Sequence, residues 1–285
     1  MIRPLSFTFA LTCALAMAHH VLADEPAKRV VSIGGSVTEI VVALGAESRL
    51  IARDSTSSFP DSITVLPDVG YVRALSPEGV LALGPDLIIA EHDAGPVEAV
   101  TVLRAAGVPF VTMPGDPTVA GIKAKILAVA DALDLPAEGS VLAAKVEADL
   151  ATQAELAAKV TEPKRVLFIL SAQGGRIMAG GDGSSAEGII QLAGGVNAAT
   201  GFAGYKQMTD EAVLTAAPDV IVMMDREGDH AAQDAELFAL PALATSPAAA
   251  SGKVIRMNGL LLLGFGPRTA EAARLLHDAI YATEQ

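Results

Sequence analysis

The hydrophobic and polar positions follow one pattern twice along the chain. Leu75 to Ala90 (LSPEGVLALGPDLIIA) aligns without gaps on Met208 to Met223 (MTDEAVLTAAPDVIVM), at an offset of 208 − 75 = 133 residues. Each copy has a hydroxyl residue, a glutamate two positions on, an apolar helical turn, Pro-Asp and an apolar run. Ser76 and Thr209 are typical N-cap residues, and short apolar runs favour buried parallel strands. Copies this far apart predict two similar lobes, because tandem arrays have much shorter repeats.

The segments before these copies also repeat. Lys28 to Ile33 and Lys164 to Leu170 are apolar runs that predict an opening strand in each lobe. Ser36 to Glu39 and Ser184 to Glu187 each place a glutamate three residues after a serine, which predicts a capping box at a helix start. The alternation of strands and helices predicts an α/β fold in which each lobe has a parallel-sheet core.

A long helical pattern separates the two halves. Ala137 to Val160 contains one glycine, no proline and many strong helix formers, and charged residues mark one wet face. We therefore predict a first lobe at 24–136, one long connecting helix at 137–162 and a second lobe at 163–285, with a ligand cleft between the lobes.

The first residues are typical of a secretory signal peptide. Arg3 precedes the apolar stretch 5–18, and small residues predict cleavage after Ala18 or Ala23. We therefore expect residues 1–23 to be removed and the mature chain to be periplasmic. Cys13 lies inside this segment, where lipid attachment is an alternative, although the residues before it match a lipid-attachment site poorly.

The composition narrows the class of partner. The formal net charge of −13 argues against nucleic acid. Hydrophobic residues make up 51% of the chain, enough for a sizeable core, and we expect a monomer. Only 4% of the residues are aromatic and none is tryptophan, which limits the ligands that an aromatic-lined site would hold.

Candidate ligand contacts follow the predicted strands, because parallel α/β sheets bind ligands beyond the carboxyl ends of their strands. Tyr71 and Tyr205 join them from the loops that precede the two repeated helices. The polar candidates after strands are Arg53, Glu91, His92, Ser171 to Arg176, Asp225, Arg226 and His230.

Tyr71 has two interpretations. It follows a glycine and precedes Arg73 by two residues. A partly buried tyrosine that closes a loop would account for it. Alternatively, ferric iron displaces the phenolic proton, a nearby guanidinium favours the resulting phenolate, and tyrosinate is an established axial ligand of haem iron.

The mature sequence resembles the periplasmic haem-binding proteins of bacterial ABC importers, most specifically at Gly70 to Leu81 (GYVRALSPEGVL). The resemblance covers essentially all of the mature chain. It implies haem (hemin) as the transported ligand, a non-enzymatic role and two lobes joined by a rigid helix. It also implies Tyr71 as the axial iron ligand and Arg226 close to that tyrosine or to the haem. From their positions in the chain we expect Arg73 and Tyr205 to contact the haem as well.

One segment departs from that family. Some members have a histidine just after the strand that opens the second lobe, and they hold a second haem or a second axial ligand. This chain has Ser171 to Gly175 (SAQGG) there, which favours a single five-coordinate haem.

Glu78 and Glu211 occupy equivalent places in the two repeats. Each carboxylate would stabilise the dipole of its own helix. The resemblance instead implies docking, in which one glutamate on each lobe pairs with arginines of the importer's permease dimer.

Other functions remain open at this stage. A ferric-siderophore or corrinoid binding protein would use the same scaffold. An exported α/β enzyme would use Glu91, Asp225 or His230, but no nucleophile motif accompanies them. Zinc binding by His92, His230 and His277 is a further alternative, although no two of them have the spacing of a local metal site.

Overall fold

The structure is a computed structural model that describes residues 26–225 and 233–282. The first lobe holds a four-stranded sheet in the order β2-β1-β3-β4, and every neighbouring pair is parallel. Helices connect its strands, as the alternating pattern predicts. The elements of the first lobe are β1 (Val30–Ile33), α1 (Gly35–Ala43), β2 (Leu50–Arg53), α2 (Pro77–Leu81), β3 (Leu87–Ala90), α3 (Val97–Ala105), β4 (Phe110–Thr112) and α4 (Val119–Ala132).

The second lobe holds a six-stranded sheet in the order β10-β9-β5-β6-β8, with β7 also paired to β5. Its elements are β5 (Arg165–Ser171), β6 (Met178–Gly180), α6 (Ser185–Leu192), β7 (Val196–Asn197), β8 (Tyr205–Gln207), α7 (Asp210–Ala216), β9 (Val220–Asp225), α8 (Asp234–Phe238), α9 (Pro241–Ala244), α10 (Pro247–Ser251), β10 (Val254–Asn258), α11 (Gly259–Leu263) and α12 (Thr269–Tyr281). The predicted fold class, two α/β lobes around parallel strands, is confirmed. The sequence pattern missed β6 and β8, which are antiparallel and lie in segments that read as a glycine-rich insert and a loop.

The helix α5 (Pro136–Ala157) lies between the two sheets in the chain. It packs against α4 of the first lobe and α12 of the second, so it contacts both lobes. Its buried side chains include Val146 and Leu150, and one hydrophobic cluster extends from Val30 in the first sheet to Phe168 in the second. The lobe limits 24–136, 137–162 and 163–285 stay predictions.

The two repeated segments have the predicted structure. The helices begin at residues 77 and 210 and the strands after them at 87 and 220, so both pairs differ by 133 (210 − 77 and 220 − 87). Ser76 accepts a hydrogen bond from Gly79 N at 3.3 Å, and Thr209 accepts one from Ala212 N at 3.2 Å. Both hydroxyl residues are therefore N-caps.

The Pro-Asp pair has the same tertiary role in both lobes. The carboxylate of Asp86 accepts from Arg29 N at 2.8 Å, and that of Asp219 accepts from Arg165 N at 2.7 Å. Each arginine also donates from Nε, at 2.8 Å, to a carbonyl: that of Gly84 in the turn after α2, and that of Ala216 at the end of α7. The start of each lobe's opening strand is thus tied to the helix that precedes its neighbouring strand.

One predicted capping box is wrong. The helix α1 begins at Gly35, one residue before Ser36, so Ser36 and Glu39 lie inside the helix rather than at its start. Both side chains are buried and have tertiary partners, since Ser36 donates to Glu91 and Glu39 pairs with Arg268. Ser36 and Glu39 therefore contact residues far away in the chain instead of capping the helix, as the local pattern had predicted.

The second predicted capping box is present in part. Ser184 precedes α6 and accepts from Glu187 N at 3.2 Å, as an N-cap does. The Glu187 carboxylate accepts from Gly183 N at 2.6 Å instead of from the cap residue itself.

None of the helices within residues 26–225 and 233–282 combines the length and the hydrophobicity that a membrane span requires.

Candidate functional site

The loop that carries Tyr71 is fixed by backbone hydrogen bonds beside the end of β2. Val69 N donates to Arg53 O and Ser55 N donates to Gly70 O, both at 2.9 Å, beside the end of β2. Gly70 has φ of 94°, a left-handed conformation that glycine adopts readily. Tyr71 follows this glycine and is 44% exposed.

The hydroxyl of Tyr71 is held by a guanidinium. Arg73 Nη1 donates to the Tyr71 oxygen, and Nη2 of the same group donates to the Asp93 carboxylate. Burial lowers the pKa of Arg73, but the negative charge of Asp93 and the hydrogen bonds to Tyr71 and Asp93 outweigh it and raise the pKa above its ordinary value. A permanent positive charge therefore lies beside the phenol.

Tyr205, the other candidate tyrosine, lies in the second lobe. It begins β8, and its ring packs edge-on against Phe168 with centroids 6.2 Å apart. Burial raises the pKa of the Tyr205 phenol, whereas hydrogen bonding at the start of α6 and the charge of Arg73 lower it. Tyr205 lies on the edge strand of the second sheet and is 37% exposed.

A buried lysine joins the lobes near this site. Lys125 of α4 is 3% exposed and donates to Ser36 Oγ at 2.8 Å and to Gly264 O of the second lobe at 3.4 Å. Its ammonium also lies 3.6 Å from the Glu91 carboxylate, at the end of β3. The charges of Lys125 and Glu91 therefore compensate each other inside the protein.

An arginine of the second lobe forms another contact between the lobes. Arg268, just before α12, donates to both oxygens of the Glu39 carboxylate, with Nε at 3.2 Å from Oε2. A face of its guanidinium stacks on the ring of Phe59, with Cζ 3.6 Å from the ring centroid. Burial raises the pKa of Glu39 even though Arg268 lowers it. We call this group, Glu39, Arg268 and Phe59, the interlobe clasp.

Of the other residues predicted to follow strands, the structure describes some, while others lie outside the described residues. Arg53 is paired with Asp68 at 3.0 Å, and Glu91 and His92 follow β3 as predicted. Asp225 is exposed at the end of β9. Arg226 and His230 lie outside the described residues, so their predicted roles stay predictions.

The loop after β3 offers three donor atoms that are close together. Side-chain atoms of Glu91, His92 and Asp93 lie within 4.8 Å of one another, the spacing of a group that could hold a metal ion. However, Lys125 already neutralises Glu91, and Arg73 already pairs with Asp93. His277, another zinc candidate, has its Nδ1 2.9 Å from Ala193 O. The ion pairs of Lys125 with Glu91 and of Arg73 with Asp93 disfavour a metal ion at this loop, because the ion would have to displace two existing positive charges.

The two predicted docking glutamates have matching surroundings. Glu78 lies in the first turn of α2 and Glu211 in the first turn of α7, and both are exposed. Within the described part of the chain, neither carboxylate has an ion-pair partner. Both are therefore free to meet cations of another molecule.

The comparisons with known proteins define the class. A family model described as periplasmic binding protein matches residues 30–259, which is most of the chain. The chain therefore belongs to the periplasmic binding protein family. Members of this family carry ligands for transport.

Two proteins of known sequence are similar to this chain over most of its length. The chain is 30% identical over 229 residues to the vitamin B12-binding protein of Vibrio parahaemolyticus, covering 78% of this chain and 80% of that protein. It is 24% identical over 276 residues to an uncharacterized ABC transporter substrate-binding lipoprotein of Bacillus subtilis, covering 96% and 86%.

Three proteins of solved structure have a higher sequence identity to this chain than these two relatives. The periplasmic heme-binding protein BhuT, in complex with two hemes, is 38% identical with a TM-score of 0.84, covering 89% of this chain and 97% of that one. The heme-binding protein RhuT from Roseiflexus sp. RS-1 is 37% identical with the same TM-score, covering 89% and 98%. A periplasmic heme-binding protein from Pseudomonas aeruginosa is 34% identical with a TM-score of 0.81, covering 91% and 94%. The resemblance to periplasmic haem-binding proteins is thereby confirmed.

The sequence did not predict the contacts of several residues in this region. Lys125 had a usable signal, because it falls on the apolar stripe of α4 formed by Ile122, Ile126 and Val129, where a charged residue is unexpected. Asp93 lies beside the two candidates Glu91 and His92 but has no distinguishing pattern of its own. Glu39 and Arg268 are separated by 229 residues, and nothing local connects them.

Proposed function

We propose that this chain captures haem in the periplasm and delivers it to an ABC importer, with Tyr71 as the axial ligand of the iron. The observation that carries the proposal is that Tyr71 is 44% exposed and that its phenol oxygen accepts a hydrogen bond from Arg73. Ferric iron prefers a phenolate, and the guanidinium favours that charged form. The three similar haem-binding proteins of known structure support haem as the substrate.

The protein does not need to perform chemistry in this role. Tyr71 supplies one bond to the iron, Arg73 stabilises the phenolate, and Tyr205 closes the site from the second lobe. Arg226 is proposed to approach the haem from the loop after β9, and the segment Ser171 to Gly175 favours a single haem without a histidine ligand.

Titration of the purified mature protein with hemin tests this function. We expect a high-spin ferric-tyrosinate absorption band at one haem per chain, and loss of that band in Tyr71→Phe. Tyr205→Phe is the matched control, because it removes the other hydroxyl of the site and should keep the band. Equal spectra for the wild type and Tyr71→Phe would refute Tyr71 as the ligand.

A corrinoid is the second candidate substrate, because sequence relatives are named vitamin B12-binding proteins. The cobalt of cobalamin carries its own axial ligands and does not require a phenolate. Calorimetric titration with cyanocobalamin and with hemin separates the two. Tight binding of cyanocobalamin that survives Tyr71→Phe, with no binding of hemin, would favour the corrinoid.

The same proposal includes a periplasmic location for the mature protein and the permease dimer of an ABC importer as its partner. Residues 1–23 act as a signal peptide with cleavage after Ala18 or Ala23, and the mass of the exported chain distinguishes these from lipidation at Cys13. The mature protein, a monomer, meets the permease dimer of its importer through Glu78 and Glu211, one on each lobe. A chain retained in the cytoplasm at full length would contradict this placement.

A further inference from the structure

The guanidinium of Arg73 bridges two acceptors at the site. Nη1 donates to the Tyr71 hydroxyl and Nη2 donates to the Asp93 carboxylate, so one planar group connects the phenol to the acid. The Arg73 side chain is 56% exposed. A long side chain that is more than half exposed has many rotamers available, and one hydrogen bond to a phenol holds it weakly. The contact to Asp93 restricts it to the orientation that serves Tyr71.

The carboxylate is itself held by a loop that is fixed at both ends. Gly95 N donates to Val72 O and Gly95 O accepts from Leu75 N, both at 2.9 Å, which joins this loop to the loop of the tyrosine. At the other end, Glu91 accepts from Ser36 and lies 3.6 Å from the ammonium of the buried Lys125. The acid therefore has a position that the surrounding fold determines.

We propose that Asp93 is a positioning residue for iron ligation, which orients Arg73 so that its guanidinium stabilises the Tyr71 phenolate. This inference rests on the proposed function, because it assigns a role within the same site. Asp93 does not touch the iron or the haem in this role. It acts only through Arg73.

The charge and the geometry of Asp93 have opposite effects, which makes the proposal testable. Its negative charge partly cancels that of Arg73 and by itself disfavours a nearby phenolate. Its oxygen, however, keeps the guanidinium in place. Asp93→Asn retains an acceptor oxygen without the charge, whereas Asp93→Ala removes both. A positioning role predicts that the alanine variant is impaired and the asparagine variant is not.

The experiment uses the full mature protein loaded with hemin. For the wild type, Asp93→Asn, Asp93→Ala, Arg73→Ala and Asp93→Ala/Arg73→Ala, it measures the ferric-tyrosinate band and the pH midpoint of haem loss on acidification. Asp278→Asn is the matched control, because it removes an exposed Asp–Arg pair on α12, where Asp278 contacts Arg274 at 2.9 Å.

In Asp93→Ala and Arg73→Ala we expect the band at longer wavelength, since a phenolate without its donor holds its electrons less tightly. The midpoint of haem loss should rise by about half a pH unit, because the proton competes better with iron, and partial exposure of Arg73 keeps the effect small. Asp93→Asn and Asp278→Asn should match the wild type. The double variant should match Arg73→Ala, because Asp93 has no effect without the arginine.

Two results would overturn the inference. One is a wild-type band and midpoint in Asp93→Ala while Arg73→Ala is shifted. The other is a further shift in the double variant beyond Arg73→Ala, which would mean that Asp93 acts independently of Arg73. Failure of the proposed function looks different, because the wild type itself would then lack the tyrosinate band.

Discussion

Arg268→Ala is the substitution that tests how the two lobes are held together. It removes the guanidinium of the interlobe clasp and leaves the Glu39 carboxylate without its partner. Glu39 is 6% exposed, so its charge would then be buried alone. Breaking one side of a buried ion pair is strongly destabilising, because the remaining charge has lost both water and its counter-ion.

The expected loss of unfolding free energy is about 3 kcal/mol at neutral pH, the lower end for a buried pair. The lower end applies because the Arg268 side chain is still 22% exposed. The stacking of Arg268 on Phe59 adds about 0.5 kcal/mol, because Phe59 is half-exposed. Together these losses lower the melting temperature by about 7 to 14 °C, at about 2 to 4 °C per kcal/mol for a chain of roughly this length.

The loss should depend on pH in a defined direction. Burial raises the pKa of Glu39 above 4.5 in the folded protein, and removing Arg268 takes away the causes that lower it. The folded variant therefore binds a proton more readily than the unfolded chain does, and its stability falls as pH rises through the folded pKa. The difference from the wild type should be largest at neutral pH and should shrink as pH falls toward 4.5.

Urea unfolding of the wild type and variants at pH 5 and pH 7.5 measures this effect. Arg274→Ala is the control on the same helix, since its exposed pair with Asp278 contributes less than about 0.5 kcal/mol. Adding Glu39→Gln to Arg268→Ala should restore most of the stability at pH 7.5, because no buried charge remains. Equal midpoints for Arg268→Ala and the wild type, or a larger loss at pH 5 than at pH 7.5, would refute the reasoning.

Two further predictions concern other residues. Asp54 is fully buried and accepts from Gly34 N at 2.9 Å and from Ser57 Oγ at 2.7 Å, so Asp54→Ala should lower the unfolding free energy by about 3 kcal/mol in a urea titration, with a smaller loss for Asp54→Asn. A wild-type unfolding midpoint for Asp54→Ala would contradict this. Reversing both docking charges with Glu78→Lys and Glu211→Lys should abolish haem transfer to the importer in reconstituted vesicles while leaving haem affinity unchanged, because both glutamates are exposed. An equal fall in haem affinity would remove the support for docking.

The sequence by itself determined the elements whose causes are local. The starts of α2 and α7 follow from Ser76 and Thr209, because a hydroxyl side chain satisfies an amide of the first helical turn wherever that helix lies. The strands after the Pro-Asp pairs follow from short apolar runs that must be buried. The repetition of this segment then indicated two lobes. The neighbours Gly70 and Arg73 made Tyr71 a candidate ligand, but the local pattern left two interpretations open, and the resemblance to haem-binding proteins chose between them.

Only the tertiary structure decided which polar side chains meet. Ser36 and Glu39 carry a local capping signal, yet in the fold they contact Glu91 and Arg268. A buried carboxylate must be satisfied by hydrogen-bond donors or a counter-ion, and these can come from any distance along the chain. The same holds for Asp93, whose position depends on how two loops pair. A sequence shows the charge of each residue, but the partner of a buried charge is set by the packing of segments that are far apart in the chain.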